Sequence, residues 1–279
     1  MAARSALLNV MTRAAEKAGR SLIRDFGEVE QLQVSKKGPA DFVSTADHKS
    51  EKILREELSK ARPRFALLME ESGAIAGDAN AGRWIVDPLD GTTNFLHGVP
   101  HWSISIAAEQ NGELVAGVVY NPVTHEMFTA EKGQGAYLND RRLRVSARKD
   151  LSLALLGIGS PYLGHGDVEA FTEELNKIIP QVSGVRRLGS AALDLAFVAA
   201  GRFDGFWERG LNAWDVAAGI VLVREAGGMV SGLTRGEDAE TGKTVLASTP
   251  GLHRKLFDML ASKATRTASD RPKVRETAN

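Results

Sequence analysis

Trp84-Ile85-Val86-Asp87-Pro88-Leu89-Asp90-Gly91-Thr92-Thr93-Asn94-Phe95 carries the strongest indication of the fold and chemistry of this 279-residue chain. Its apolar start is typical of the end of a buried strand, and we expect Pro88 and Gly91 to stop that strand. Asp87 and Asp90 are then presented at the strand end, in a loop that the proline restrains. Two carboxylates aimed at one point suit Mg²⁺, and the N–H groups of the Gly-Thr-Thr turn suit a phosphate.

The composition is that of an ordinary globular protein, with 43% hydrophobic and 25% charged residues. Lys plus Arg and Asp plus Glu number 35 each, so the formal net charge is zero and no basic field points to nucleic acid or an anionic membrane. The chain has no cysteine, which excludes disulfides, thiolate metal sites and a cysteine nucleophile. Apolar runs are too short to cross a membrane and the start lacks a secretory pattern, so we expect a cytoplasmic protein.

Residues 1–150 predict two helices followed by an antiparallel sheet. Apolar residues recur at helical spacing near residues 3–26 and 44–61, and Ser44 or Thr45 could cap the second helix. After the acidic loop come short strand-like runs separated by turn residues, with Asn111-Gly112 as a plausible hairpin turn.

Residues 151–261 alternate strand and helix patterns, which predicts an α/β half. The expected strands cover residues 153–158, 185–188 and 203–208, and the expected helices cover residues 168–179, 190–200 and 215–226. No flexible linker separates the two halves, so we expect one structural unit. Residues 262–279 lack apolar periodicity and are predicted to be a disordered tail.

Four segments supply acidic side chains that could form one site: residues 41–47, Glu70-Glu71, the loop with Asp87, and Asp215. In three of them an apolar strand, or a loop after one, delivers an acid at its end, as an active site in an α/β protein requires. Taken alone, Asp215 is typical of a helix N-terminus, and the glutamate pair is typical of a solvated surface. Asp87 is harder to explain structurally, because a strand-end aspartate before proline is costly without a partner.

These motifs resemble the inositol monophosphatase family of Mg²⁺-dependent, lithium-sensitive sugar-phosphate phosphatases. The resemblance rests on residues 41–47, 70–72, 84–95 and 214–219. Residues 184–192 and 206–208 look most like the bacterial extragenic-suppressor branch of the family. The resemblance covers the chain from the first helix to about residue 260. It implies a mixed α+β or α/β fold, a five-layer αβαβα sandwich, and a homodimer.

The same resemblance implies two to three Mg²⁺ ions per active site, held by Glu70, Asp87, Asp90, Asp215 and the backbone carbonyl of Leu89. It implies a catalytic group of Glu70, Thr92 and Asp47, in which Thr92 and Asp47 orient the attacking water and Glu70 helps to accept its proton. It also implies substrate contacts from Asp90, Gly91, Thr92, Thr93, Arg186, Ala191, Glu208 and Asp215. Arg186 could equally be a dimer or surface residue, and Lys36 or Lys37 could lie near a metal loop.

The expected reaction is hydrolysis of myo-inositol monophosphate, and of similar polyol or sugar phosphates, by direct attack of a metal-activated water. One alternative is a related phosphatase for fructose bisphosphate, histidinol phosphate or a nucleotide 3′-phosphate, which would share the metal residues and differ in the substrate wall. Another is a regulatory partner of the transcription machinery, because the bacterial branch includes such a member. Neither a membrane nor direct contact with nucleic acid is expected.

Overall fold

The computed structural model describes residues 4–28, 34–38, 41–78 and 80–261. Seven α-helices lie within these ranges: α1 (Ala6–Phe26), α2 (Thr45–Ala61), α3 (Thr92–Leu96), α4 (Val168–Ile178), α5 (Ala191–Ala199), α6 (Ala213–Glu225) and α7 (Pro250–Leu260). The predicted tail, residues 262–279, lies outside the described residues. None of the helices in the described part is both long and apolar enough to cross a bilayer.

The strands of the described residues form three sheets. A two-stranded sheet pairs β1 (Val34–Gly38) with β2 (Asp41–Ser44). The eight-stranded sheet has the spatial order β10 (Arg141–Arg142), β9 (Gly135–Leu138), β8 (Glu126–Glu131), β7 (Glu113–Asn121), β6 (Ser103–Gln110), β5 (Arg83–Asp90), β3 (Ala66–Met69) and β4 (Gly73–Ile75). The five-stranded sheet has the order β12 (Gly184–Arg186), β11 (Leu155–Ile158), β13 (Gly205–Arg209), β15 (Thr244–Ser248) and β14 (Met229–Ser231).

Helices and sheets alternate in five layers. Buried apolar side chains fill the space between each outer helix layer and its sheet, and the space around the central helices between the two large sheets. Helices α1 and α2 cover the outer face of the eight-stranded sheet. Helices α5 and α6 lie between the two large sheets. Helices α4 and α7 cover the outer face of the five-stranded sheet. The order is αβαβα, so the predicted fold class is confirmed.

Helix α6 is buried along its length because sheets lie on both sides of it, and eight of its residues are buried. Two glycines allow the close approach. A Cβ on Gly117 of β7 would lie 2.5 Å from the carbonyl oxygen of Ala218, and a Cβ on Gly219 would lie 2.5 Å from the side chain of Leu195 in α5. Helix α6, which begins with an acidic turn, is therefore held firmly between the sheets.

The predicted helices and hairpin of the first half are present. Ser5 Oγ accepts a hydrogen bond from Leu8 N and caps α1. Ser44 and Asp47 form a reciprocal capping box at the start of α2. Asn111 and Gly112 both have positive φ, 54° and 76°, as a two-residue hairpin turn between twisted strands requires.

Strand β5 does not stop at Pro88, as we expected, but continues to Asp90. The pairing of β5 with β6 shifts by one residue between Asp87 and Asp90, which is a β-bulge. A proline is tolerated there because the ladder is locally broken and its missing N–H costs no hydrogen bond. Gly91, with a φ of 94°, then ends the strand and leads into α3.

Candidate active site

The bulge in β5 places two aspartates on one face of the sheet. Asp87 lies opposite Ser105 of β6, and Asp90 lies opposite Ser103. The two serines are two positions apart and therefore point to the same face, whereas the aspartates are three apart and would point to opposite faces of a regular strand. The extra residue of the bulge corrects this difference. Both carboxylates consequently face α5 and α6.

Glu70 reaches the same edge because β3 and β5 are parallel neighbours. Met69, the last residue of β3, pairs with Val86, and Glu70 N donates to the carbonyl oxygen of Val86 at 3.2 Å. Asp87 follows Val86 directly and is 2% exposed. Its Oδ1 accepts a hydrogen bond from Leu89 N at 2.9 Å. The two acids therefore leave adjacent strands at the same level.

Asp90 connects the first sheet to α5. Its Oδ2 accepts hydrogen bonds from Ser190 Oγ and, at 2.9 Å, from Ala192 N in the first turn of that helix. A carboxylate is favoured at this place because the first N–H groups of a helix lack partners within it. Burial raises the pKa of Asp90 to about 6, although these hydrogen bonds oppose the rise.

Asp215 is delivered by the first turn of α6. Its Oδ2 accepts a hydrogen bond from Asn212 N at 2.7 Å. The start of the helix is fixed to the sheet edge by Ser105 Oγ, which donates to the carbonyl oxygen of Trp214 at 3.2 Å. Burial among protein atoms on the cavity wall raises the pKa of Asp215, and repulsion from Asp90 adds to the rise.

Glu70, Asp87, Asp90 and Asp215 form one electrostatic cluster. The pKa of Asp87 is raised, first by burial and then by the negative charges of Glu70, Asp90 and Asp215. Hard carboxylate oxygens that repel one another suit a divalent cation such as Mg²⁺, which would neutralise them. Among the described residues, no three His, Asp or Glu side chains are already arranged as a complete ligand set for a metal ion.

Thr92 and Asp47 are held together beside this cluster. Thr92 Oγ1 lies 3.2 Å from Asp47 Oδ1 and 3.1 Å from the carbonyl oxygen of Leu89. Asp47 is 1% exposed, and its Oδ2 accepts hydrogen bonds from Ser44 N and Ser44 Oγ at 2.8 and 2.6 Å. Burial raises the pKa of Asp47 and the hydrogen bonds from Ser44 oppose this. The capping box of α2 thus also fixes the partner of Thr92.

A cavity of about 650 Å³ opens next to the acidic cluster. Of the residues predicted from the sequence, it is lined by Glu70, Asp90, Gly91, Thr92, Thr93, Ala191, Glu208 and Asp215. Asp87, Asp47 and Leu89 lie behind this wall, in contact with it through the interactions described above. The cavity joins an acidic end to a wall built by β11, β13 and the segment before α4.

Glu208, in β13, enters the cavity through space that Gly159 leaves open. A Cβ on Gly159 would lie 1.8 Å from Cδ of Glu208, so any larger residue would displace the carboxylate. Burial raises the pKa of Glu208 to about 8, with a further rise from Asp90.

The structure distinguishes the two adjacent arginines. Arg186 is exposed and lies outside the cavity lining, and its guanidinium donates to the carbonyl oxygen of Val185 at 2.8 Å. Arg187 lines the cavity, donates to Ser160 Oγ at 3.2 Å and lowers the pKa of Glu208 by its charge. Of these two arginines, only Arg186 is predicted from the sequence as a substrate contact. Neighbouring residues of the expected strand at 185–188 point to opposite faces. The sequence therefore indicated that only one of the two arginines would face a site.

Two further features bear on the sequence predictions. Asp194 lines the cavity and was not predicted, although it is an isolated acid in the nine-residue helix α5, in which every other residue is apolar. The side chains of Lys36 and Lys37, suggested for a metal loop, lie outside what the structure describes.

Comparisons with known proteins agree on one family. A sequence model described as "Inositol monophosphatase family" matches residues 3–268. An inositol-1-monophosphatase of Mesorhizobium japonicum is 60% identical over 255 residues, which cover 91% of this chain and 96% of the relative. A Nus factor SuhB of Pseudomonas aeruginosa is 45% identical over 248 residues, 87% of this chain and 92% of the relative. The crystal structure of the extragenic suppressor protein suhB of Bartonella henselae is 56% identical, with a TM-score of 0.89, covering 94% of this chain and 100% of that one.

Proposed function

Because this chain belongs to the inositol monophosphatase family, we propose that it hydrolyses myo-inositol monophosphate and similar polyol phosphates to the alcohol and phosphate. One observation carries the proposal. Acids from three separate elements, Glu70, the aspartates of β5 and Asp215, repel one another beside a cavity of about 650 Å³. A cavity of this volume accommodates a phosphorylated polyol, and such a cluster suits chemistry on a dianionic ester.

We propose that two to three Mg²⁺ ions are held by the carboxylates of Glu70, Asp87, Asp90 and Asp215 and by the carbonyl of Leu89. When bound, such a cation neutralises phosphoryl charge and lowers the pKa of water. Each of the three aspartates has one oxygen engaged in a hydrogen bond to Leu89 N, Ala192 N or Asn212 N, so its other oxygen is available to a cation. Asp87 has all three other acids as electrostatic neighbours and is therefore the residue best placed to bridge two ions.

Thr92 orients the attacking water. An ionised Asp47 can only accept hydrogen bonds, and Leu89 offers a carbonyl, so the single hydroxyl hydrogen of Thr92 is committed to these two acceptors. The lone pairs of Thr92 Oγ1 are then left to accept a hydrogen bond from water. This turns a water oxygen lone pair toward the phosphorus, and Glu70, on the same cavity wall, accepts the proton that the water loses.

The remaining residues hold the ester. The N–H groups at the start of α3, from Gly91 to Thr93, have no partners within the helix and face the phosphate. Glu208 and Ala191 contact the alcohol part, and Glu208 accepts hydrogen bonds from its hydroxyl groups. We assign to Arg187 the substrate contact for which Arg186 was a candidate, because Arg187 lines the cavity. Attack in line with the ester oxygen breaks the bond between phosphorus and that oxygen, and the leaving oxygen takes up a proton from solvent and departs as the alcohol.

The test is phosphate release by the purified protein from a panel of esters, with Mg²⁺ and with a chelator. The panel contains inositol monophosphate, glycerol 2-phosphate, fructose bisphosphate, histidinol phosphate and nucleotide 3′-phosphates. We expect release from the polyol esters only with the cation. A preference for one of the last three would favour the related phosphatases, and no release from any ester would refute the proposal.

A second candidate function is association with the transcription machinery. It is favoured by a specific observation, the 45% identity to a relative named a Nus factor. The two functions are compatible, since a surface contact does not require the cavity. A pull-down of transcription proteins with the tagged chain, compared with its Asp87→Asn variant, tests this role. Specific capture by both forms would support it, and no capture by either would exclude it.

We also propose that the protein is a homodimer, that lithium inhibits it and that it is located in the cytoplasm. Light scattering on the purified protein tests the first, since a dimer has twice the chain mass of 30.0 kDa. Inhibition of phosphate release by lithium, with sodium as the control, tests the second. Fractionation of the cells that produce the protein tests the third.

A further inference from the structure

Asp194 is a buried acid whose carboxylate lacks a structural explanation. It lies in the first turn of α5, its side chain is 2% exposed, and it shares the cavity wall with Glu208 and Arg187. Among the described residues, no donor forms a hydrogen bond with its Oδ1, which is buried. Burial of an unpartnered carboxylate oxygen is costly. A residue kept at this cost in an otherwise apolar helix points to a use other than packing.

Asp204 is a buried carboxylate whose oxygens, in contrast, have hydrogen-bond donors. Asp204 is equally buried, 1% exposed, and accepts hydrogen bonds from Ser146 Oγ, from Arg148 at 3.0 Å and from Leu155 N at 2.9 Å. Asp204 does not line the cavity. Its role is therefore structural, and it provides the contrast that makes Asp194 unusual.

His101 faces Asp194 from the other half of the chain. Its Nε2 lies 3.9 Å from Asp194 Oδ1, too far for a hydrogen bond, and this buried atom has no hydrogen-bond partner within the described part of the chain. The residue is fixed by Asn94 Nδ2, which donates to its carbonyl oxygen at 2.7 Å, and by an edge-on contact of its ring with Phe197. His101 Nε2 and Asp194 Oδ1, both without a hydrogen-bond partner among the described residues, therefore face each other just behind the cavity wall.

We propose that Asp194 is a specificity-determining residue, whose carboxylate accepts a hydrogen bond from a hydroxyl group of the alcohol part of the ester, and that His101 is the positioning residue behind it. This inference rests on the proposed function. Asp194 and Glu208 are two acceptors on one wall, and a polyol offers neighbouring hydroxyl donors to match them. Burial raises the pKa of both Asp194 and Glu208, and the charge of Arg187 opposes that rise at each of them. A shift of about 1 Å brings Nε2 of His101 within hydrogen-bond distance of Oδ1 and fixes the carboxylate.

The test compares two esters in the same protein with Mg²⁺ present. Inositol monophosphate carries hydroxyl groups on its alcohol part, and 4-nitrophenyl phosphate carries none. For Asp194→Ala we expect kcat/KM to fall about tenfold more for the first ester than for the second, mainly through KM, because a hydrogen bond to a charged acceptor is lost. Asp194→Asn, which keeps an acceptor oxygen, should recover part of the ratio. The alanine variant is expected to fold, since it removes an unpartnered buried oxygen.

His101 is tested by two substitutions of different chemistry. His101→Phe removes the polar atom and should shift the ratio in the same direction, whereas His101→Gln retains a donor and should restore it. Asp204→Asn is the matched control, a buried acid away from the cavity, and should lower the melting temperature while keeping the wild-type ratio.

Failure of the proposed function and failure of the role of Asp194 give different results. If the wild-type protein hydrolyses neither ester, the proposed function fails and this inference fails with it. If it hydrolyses both but Asp194→Ala keeps the wild-type ratio, the role of Asp194 is overturned while the proposed function stands. A ratio changed by Asp194→Ala but not by His101→Phe would overturn the positioning role of His101.

Discussion

Thr92 and Asp47 are 45 positions apart in the chain, and the hydroxyl of Thr92 donates a hydrogen bond to Oδ1 of Asp47 at 3.2 Å. The bond joins the first turn of α3 to the first turn of α2. The other carboxylate oxygen of Asp47 accepts hydrogen bonds from Ser44 at the start of α2, so one side chain both caps a helix and orients the hydroxyl of Thr92. This cap is buried, since Ser44 and Asp47 are 2% and 1% exposed.

Asp47→Asn should lower kcat by about 10²-fold with a much smaller change in KM. An amide can donate as well as accept, so it no longer commits the hydroxyl hydrogen of Thr92, and water loses its fixed acceptor. Steady-state kinetics on inositol monophosphate measure this. The control is Thr12→Val in α1, where a buried threonine hydroxyl bonds only to backbone carbonyls of its own helix. A kcat for Asp47→Asn equal to that of the control variant would contradict the role.

Asp87→Asn should abolish turnover, by about 10³-fold or more, and leave the fold intact. In the absence of divalent cations it should also raise the free energy of unfolding, by about 1 kcal/mol, because it removes one of four acids that repel one another. Phosphate release and urea unfolding measure the two effects on one preparation. Near-normal activity would refute the bridging role, and loss of stability would refute the repulsion.

The cation-free protein should lose stability between about pH 6.5 and pH 8. The pKa of Glu208 is raised from 4.5 to about 8, so over this range the folded state keeps a proton that the unfolded state releases. A group that holds one proton more in the folded state than in the unfolded state lowers the free energy of unfolding by about 1.4 kcal/mol for each unit by which the pH rises. Between about pH 4 and pH 6.5 the titration of His101 has the opposite effect on the free energy of unfolding, because burial lowers the pKa of His101 to about 4. Urea unfolding across the range measures the slope.

The matched variant for this titration is Glu208→Gln, which should have a shallower slope than the wild type. Added Mg²⁺ should flatten the wild-type curve as well, since a cation stabilises the ionised acids. Stability that increases from pH 6.5 to pH 8 in the cation-free wild type would contradict the assignment.

Glu208→Ala and Gly159→Ala should change substrate preference in the same way. The first removes the carboxylate, and the second displaces it, because the added Cβ would lie 1.8 Å from Cδ of Glu208. We expect each to reduce kcat/KM for inositol monophosphate about tenfold relative to 4-nitrophenyl phosphate. If Glu208→Ala instead eliminated hydrolysis of every ester, Glu208 would have a role in the reaction itself.

Much of the fold could be predicted because the signals are local. The helices that became α1 and α2 follow apolar periodicity and a serine cap, and the turn at Asn111-Gly112 follows from backbone preference. The resemblance to the inositol monophosphatase family is confirmed, and with it the prediction of an inositol-phosphate phosphatase at the level of the family.

Other features depend on long-range contacts that no local pattern reveals. Strand β5 continues through Pro88 because β6 pairs on both sides of a bulge, which sequence punctuation alone does not indicate. Strands β14 and β15 and helix α7 were not predicted. The two strands are stabilised by pairing within the five-stranded sheet, and α7 is stabilised by packing against it. The positions of Asp194 and Arg187 on the cavity wall could not be predicted, because they depend on α5 and the end of β12 meeting at the cavity.

We propose above that acids from three elements bind shared divalent cations beside a phosphate. The most direct measurement is a crystal structure of the protein grown with Mn²⁺ in place of Mg²⁺, with anomalous diffraction to locate the ions. We predict at least two peaks within about 2.3 Å of carboxylate oxygens, with Asp87 between them and with Glu70, Asp90 and Asp215 as the outer ligands. Ions bound elsewhere, with these four side chains turned away from one another, would contradict the account.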